Sequence, residues 1–210
     1  LSKLGATVSP AGSFNTEVGL PMTVLSADET TRYLVLEMGM RGLGHIAYLA
    51  DIAQPDVGVL INVGSAHMEL LGSREAIAAA KGELIEALGP DGVAVLYGDD
   101  AIVRTVAQRT SARSVLFGES ADCDVRATHV RLDDRARPSF TLVDEAGATA
   151  EVSLRFSGEH YVANATAAAA VALSLGADVG DVGAWLSAAE PESRWRMEVC
   201  EAPGGFTVVI

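Results

Sequence analysis

The sequence predicts an α/β fold: a mostly parallel sheet flanked by helices, with a small antiparallel subsheet. Three observations carry this. The apolar runs YLVLEM (33–38), VGVLINV (57–63) and GVAVLY (92–97) lack polar alternation, the texture of parallel strands covered on both faces. Helical patterns separate them, as parallel strands require. From Asp124 to Phe156 the texture changes to alternating polar and apolar residues with turn signals between, the mark of antiparallel strands with one wet face.

The helices follow in order. GHIAYLADIA (44–53) is the first and DAIVRTVAQR (100–109) the third. Between them, Ser73 to Leu88 opens on a serine and closes before Gly89-Pro90. Its residues Ile77, Leu84, Ile85 and Leu88 share one face, and Lys81 falls in the middle of that stripe. Glu75, Glu83 and Glu86 are expected off the stripe as solvated charges. SVLFG (114–118) adds a short strand, and two helices, about 160–175 and 178–189, follow the alternating region. Pro191 punctuates their end, and 192–210 reads as a linker and the first strand of another domain.

Composition narrows the function. A chain of 210 residues, 49% hydrophobic and 20% charged, can bury a core and reads as a soluble globular protein. A formal net charge of −13 argues against a nucleic-acid backbone or an anionic membrane as partner. Cys123 and Cys200 have no metal spacing and form no disulfide framework, which suits a reducing cytosol. No secretory signal or transmembrane span is predicted. The chain starts at Leu1 without a methionine and ends in the strand-like FTVVI, so we expect a segment of a longer protein.

Ligands of open parallel sheets gather at the carboxyl ends of the strands. Glu37 ends the first apolar run, His67 follows the second, and Asp99 and Asp100 follow the third. Each aspartate reads first as a loop residue or a helix cap. His67 reads either as a loop histidine or as a ligand. An acid that ends a buried strand needs a cation or strong donors, so Glu37 is the firmer candidate. Lys81 has two readings: an amine that snorkels to water, or a functional group whose neutral form is favoured by desolvation. A neutral amine can take up carbon dioxide as a carbamate, turning a cation into a carboxylate ligand. Glu37, His67 and such a Lys81 would make an oxygen-rich site suited to magnesium. Asn164, one turn into the alanine-rich helix, either ties down the preceding loop or reads the adenine edge. His160 opens the same helix and reads equally as a cap-region residue. Arg194 and Arg196 in SRWRMEV either form a solvated face or clamp a phosphate.

Together, GSFNTEVGLP, LEMGM, GHIAYLADIAQPDVGVLINVGSAHMELLGS, AAAKGELIEAL, the alanine-rich helix and RMEV resemble the Mur ligase family over essentially the whole chain. These are the ATP-dependent amide ligases of peptidoglycan precursor synthesis. EMGM resembles the last-acting member, which joins D-Ala-D-Ala to UDP-MurNAc-tripeptide through an acyl phosphate. The resemblance implies a P-loop-type central ATP-binding domain over 1–191 and the start of a C-terminal ligase domain over 192–210. It implies two magnesium ions: Lys81, as a CO2-derived carbamate, and His67 on one, Glu37 on the other. It implies that Asn164 contacts adenine with His160 nearby, that Arg196 reaches the terminal phosphate, and that Asn15 and Thr16 lie near the nucleotide-sugar. A cytoplasmic monomer engaged in cell-wall growth and division follows from it.

There are departures. The family's RHN-x-x-N is EHYVAN here, with Tyr161 for the first asparagine, and its N-x-D-D is YGDD, with Tyr97 first. No G-x-x-x-x-G-K-[ST] phosphate loop occurs, so the segment alone is expected to be inactive. Alternatives are a sibling ligase adding another amino acid, a metal-dependent hydrolase, and a non-catalytic nucleotide-binding scaffold. The hydrolase is disfavoured by four scattered histidines, at 45, 67, 129 and 160.

Overall fold

A computed structural model describes residues 1–64 and 71–190, and, by their backbone alone, the strands Val199–Ala202 and Phe206–Val209. The chain divides into two compact units, Leu1–Val115 and Leu116–Ile210.

Unit 1 holds parallel strands and the helices that flank them. β1 (Thr7–Val8) pairs in parallel with β2 (Tyr33–Leu34). β3 (Val57–Leu60) pairs in parallel with β4 (Val93–Tyr97), Val57 opposite Val93 and Leu60 opposite Leu96. Ala94, Val95 and Leu96 are fully buried, as the unalternated run predicts. The helices are α1 (Gly19–Leu25), α2 (His45–Ala53), α3 (Arg74–Glu86) and α4 (Ala101–Val106), the last continued by a 3-10 turn at Ala107–Arg109.

Local chemistry sets where these helices begin. The Ser73 hydroxyl accepts the Ala76 amide at 3.1 Å to start α3, and the Asp100 carboxylate accepts the Ile102 amide at 3.0 Å to start α4. Asp100 is thus the helix cap that the sequence suggested. α3 lies on β3 and against α2 and α4. Its Leu84 and Ile85, with Leu88 just past its end, rest over Gly58 of β3, and Ile77 and Ile85 are fully buried. Each such side chain contributes about 1.5–3 kcal/mol by leaving water.

Two strands are shorter than expected, and one helix is additional. The run 33–38 pairs only through Tyr33–Leu34 and one further bond from the Val35 amide to the Val8 carbonyl, because Pro10 then removes a donor from the partner strand. Leu34 and Val35 remain 36% and 40% exposed, so Glu37 does not end a buried strand. β3 stops at Leu60 instead of residue 63, because the Asn62 and Val63 carbonyls accept side chains of α3. The helix α1 exposes Met22 and Leu25, and so lacks the amphipathic contrast by which a surface helix is recognised.

Unit 2 carries the antiparallel subsheet. β5 (Arg113–Gly118), whose second half belongs to this unit, pairs in parallel with β6 (Val125–Leu132) at Phe117–Val125. β6 pairs antiparallel with β7 (Pro138–Val143), and β7 with β8 (Thr149–Ser153). The β6–β7 register shifts between Thr128 and Arg131, where His129 takes a φ of 55°. α5 (His160–Ser174) packs on β6 and β7, and its Val162, Ala165 and Ala169 are buried. α6 (Val179–Ala188) packs on β8. Backbone pairing joins β9 (Val199–Ala202) antiparallel to β10 (Phe206–Val209). Where 192–210 was expected to be a linker and one strand, its described part holds two paired strands; Pro191 and residues 192–198 lie outside the described residues.

Candidate functional site

In unit 1 the site is organised by α3, whose polar residues reach three different neighbours. Lys81 is half-buried on the helix, and its Nζ donates to the Asn62 carbonyl at 2.8 Å. That is the loop leaving β3, where a ligand site of a parallel sheet is expected. Desolvation by burial holds the Lys81 amine below the ordinary lysine value of 10.5. The snorkelling reading therefore needs amendment: one backbone carbonyl, together with a partly dry surrounding, takes the place of open solvent.

Two turns earlier on the same helix, Arg74 donates to the next carbonyl. Its Nε and Nη2 lie 3.2 and 3.0 Å from the Val63 oxygen, and Nη2 also lies 2.8 Å from Asp100 Oδ2. Consecutive carbonyls at the exit of β3 are thus held by two cations of α3. Arg74 was not singled out in the sequence, because an arginine in the first turn of a helix gives no pattern to distinguish it.

Glu83 corrects the expectation of a solvated charge. Its Oε1 accepts the Gly44 amide at 2.6 Å and its Oε2 the Ala47 amide at 3.0 Å. α2 begins on Gly44, whose φ of 83° favours glycine and which has no side chain to cap the helix. Glu83 supplies the missing cap from another helix, with a negative charge on the positive end of the α2 dipole. The sequence held a usable signal: an amphipathic helix opening on glycine must find its acceptor elsewhere.

Glu37 is exposed and meets Asn15, whose Nδ2 donates to Glu37 Oε1 at 2.8 Å while its carbonyl accepts the Gly39 amide at 2.7 Å. The structure thus joins two residues predicted separately. Thr16 acts locally: its hydroxyl accepts the Gly19 amide at 3.4 Å and its carbonyl accepts the Leu20 amide, opening α1. No hydrogen bond or ion pair among the described residues joins Lys81 to Glu37.

In unit 2, Asn164 is exposed on α5 rather than buried, and its side chain makes no hydrogen bond among the described residues. Its side chain thus makes no bond to the loop that precedes the helix. His160 is exposed at the first residue of the helix, with its ring 4.3 Å from that of Tyr161, which lies 4.9 Å from Phe156. His67, Arg194 and Arg196 lie outside the described residues.

Among the described residues no group of three histidine, cysteine, aspartate or glutamate side chains could hold a metal ion. That excludes, within them, a closed site of the zinc type. Magnesium asks for less, one or two carboxylates beside phosphates and water. The Glu37 carboxylate, exposed and with only Oε1 engaged by Asn15, fits that requirement. No helix among the described residues is long and apolar enough to cross a membrane.

Comparison with known proteins adds a family. A profile of the Mur ligase middle domain matches residues 1–172. UDP-N-acetylmuramoyl-tripeptide–D-alanyl-D-alanine ligase of Mycobacterium tuberculosis H37Rv is 50% identical over 209 residues, 100% of this chain and 41% of the relative. The enzyme of that name from Bacillus subtilis is 34% identical over 94% of this chain and 42% of its own length. A crystal structure of MurF from Acinetobacter baumannii superposes with a TM-score of 0.90 at 33% identity, covering 97% of this chain and 44% of that one. MurF from Thermotoga maritima in complex with ADP gives 0.84 at 30% identity, covering 97% and 46%. The chain thus spans less than half the length of these relatives.

Proposed function

The chain belongs to the Mur ligase family through its middle domain, and from that premise we propose that the protein carrying it joins D-Ala-D-Ala to UDP-MurNAc-tripeptide at the expense of ATP. The observation that carries this reading is the 50% identity, over 100% of the chain, to a ligase of that name. EMGM at 37–40 supports this member over its siblings. The expected chemistry has two steps. The terminal carboxylate of the tripeptide attacks the γ-phosphorus of ATP, ADP leaves, and an acyl phosphate results. The dipeptide amine then attacks the acyl carbon, the amine loses a proton and inorganic phosphate leaves. The protein would act as a cytoplasmic monomer in cell-wall growth and division.

The residues take roles that their chemistry supports. Glu37 presents a hard oxygen to magnesium. Lys81, amine-bearing and held below its ordinary pKa by burial, is suited to carbamylation, and as a carbamate would serve a second magnesium with His67. The two ions would supply charge neutralisation on the transferring phosphoryl group, and Arg196 has the charge to serve the terminal phosphate. The free amide of Asn164 offers a donor and an acceptor side by side for the adenine edge, with His160 nearby. Asn15 orients Glu37 and, with Thr16, lies on the side of the nucleotide-sugar.

The test uses a protein of the relatives' full length. Phosphate release from ATP is followed with UDP-MurNAc-tripeptide and magnesium, adding D-Ala-D-Ala or single amino acids. Turnover with the dipeptide alone is expected, lost in Lys81→Ala and partly restored by a short carboxylic acid that stands in for the carbamate. Turnover with a single amino acid instead would make the protein a sibling ligase. Full turnover in Lys81→Ala would remove the carbamate role.

A further inference from the structure

The segment from Glu37 to Gly44, EMGMRGLG, contains three glycines and no regular structure. Such a segment loses much conformational entropy when it is fixed, so its position depends on anchors. One anchor is Asn15, which holds the Glu37 carboxylate and the Gly39 amide. The middle is held by Met40, which is buried, and by the Arg41 amide donating to His45 Nδ1 at 3.2 Å. The far end is held from α3: both oxygens of Glu83 accept amides at Gly44 and Ala47. Glu83 stands two residues from Lys81 on one rigid helix. It therefore ties the segment that begins at Glu37 to the helix that carries Lys81.

We propose that Glu83 is a positioning residue, which through the 38–44 segment fixes the Glu37 carboxylate for its cation. The inference rests on the reading of Glu37 as a magnesium ligand given above. A carboxylate is needed here because two amide donors, at Gly44 and Ala47 about one helical turn apart, must be satisfied together. Glutamine offers one acceptor and turns its NH2 toward the second amide, so it preserves size and loses half of the function. Residues that orient a ligand commonly change metal affinity by about 10–100-fold when removed.

The experiment measures Mn2+ binding by its electron paramagnetic resonance signal, in a protein of the relatives' full length saturated with ADP. Four proteins form a cycle: wild type, Glu83→Ala, Glu37→Ala, and the double variant. Glu83→Gln is added as a variant that preserves packing, and thermal melts confirm that all are folded at the assay temperature. The expected result is about a tenfold loss of Mn2+ affinity in Glu83→Ala, a smaller loss in Glu83→Gln, and no further loss when Glu83→Ala is added to Glu37→Ala. Equal losses in both backgrounds would show a general loosening of the fold and overturn the proposal, as would unchanged affinity in Glu83→Ala and Glu83→Gln. If Glu37→Ala binds Mn2+ as wild type does, Glu37 is not a ligand. The metal reading then fails first and the positioning role falls with it.

Discussion

Replacing Arg74 tests whether the exit of β3 is held as described. Arg74 is the only side chain that spans the Val63 carbonyl and the Asp100 carboxylate among the described residues. A buried charged donor on a carbonyl is worth about 1.5–3 kcal/mol. The guanidinium is 46% exposed, which reduces this to about 1 kcal/mol for the Val63 contact. The pair with Asp100, whose side chain is 14% exposed, adds about 0.5 kcal/mol. Arg74→Ala should therefore cost about 1.5 kcal/mol, or roughly 3–6 °C in Tm for a chain of this size. Asp100 separates the two parts of the clamp. Asp100→Asn keeps a side-chain oxygen for the Ile102 amide and should cost only about 0.5 kcal/mol, whereas Asp100→Ala also loses the cap and should cost about 1.5 kcal/mol. Urea unfolding followed by circular dichroism gives these values, and adding Arg74→Ala to Asp100→Asn should show coupling of about 0.5 kcal/mol. An Arg74→Ala variant within about 0.3 kcal/mol of wild type would refute the clamp. Equal costs for Asp100→Asn and Asp100→Ala would refute the cap.

Lys81 and Lys3 are the two lysines of the chain, and Lys3 is exposed, so 13C-labelled carbon dioxide followed by NMR provides its own control. Carbamate on Lys81 should exceed that on Lys3 at neutral pH and rise with pH, because desolvation lowers the amine's pKa and only the neutral form reacts. The stability linkage has the same sign. Between the lowered folded pKa and 10.5 the unfolded chain binds more protons, so the Lys81 contribution makes the fold more stable as pH rises through that window, and a Lys81→Met variant should lose that slope. At Gly82 an added Cβ would lie 2.0 Å from Arg109 Nη1, which donates to the Ala78 and Ala79 carbonyls. Gly82→Ala should cost about 0.5–1 kcal/mol in wild type, yet stabilise an Arg109→Ala background by up to about 1 kcal/mol through helix propensity; urea melts that show the same sign in both backgrounds would contradict the packing described.

Much of the fold was legible because its signals are local. Ser73 and Asp100 announce helix starts by a side chain that bonds an amide two or three residues on, and the structure shows both bonds. The alternation from Val125 to Ser153 announces a sheet with one wet face in the same way. What was missed depends on partners distant in sequence. The length of β2 was set by Pro10 in its partner, and the end of β3 by side chains of α3. Glu83 was misread because a helical wheel records only whether a residue faces its own core. It does not record that a second helix, 39 residues earlier, begins on a glycine and needs an acceptor. At the site, Lys81 was conspicuous because it breaks an apolar stripe, whereas Arg74 and Arg109 break no pattern.

The place of Lys81 follows from what else α3 must do. One face carries Ile77 and Ile85 into the core, with Leu88 following just past the helix end, and that burial fixes the helix on β3. A lysine between those residues is desolvated by the same packing, and its stem spans the distance from the buried stripe to the exit of β3. An aspartate or glutamate at position 81 would have a shorter reach and a charge of the wrong sign for the Asn62 carbonyl. A lysine meets the carbonyl as a cation and, once carbamylated, would present a carboxylate still further from the backbone. Packing that lowers the pKa of the amine thus favours the neutral form that the modification needs, so the core-facing position and the proposed chemistry have one physical origin. That connection is open to attack at a single point: an Ile77→Ala or Ile85→Ala variant that stays folded but admits water should raise the Lys81 pKa and reduce its 13C-carbamate at fixed pH. Unchanged carbamate in both variants would separate the burial of Lys81 from its reactivity.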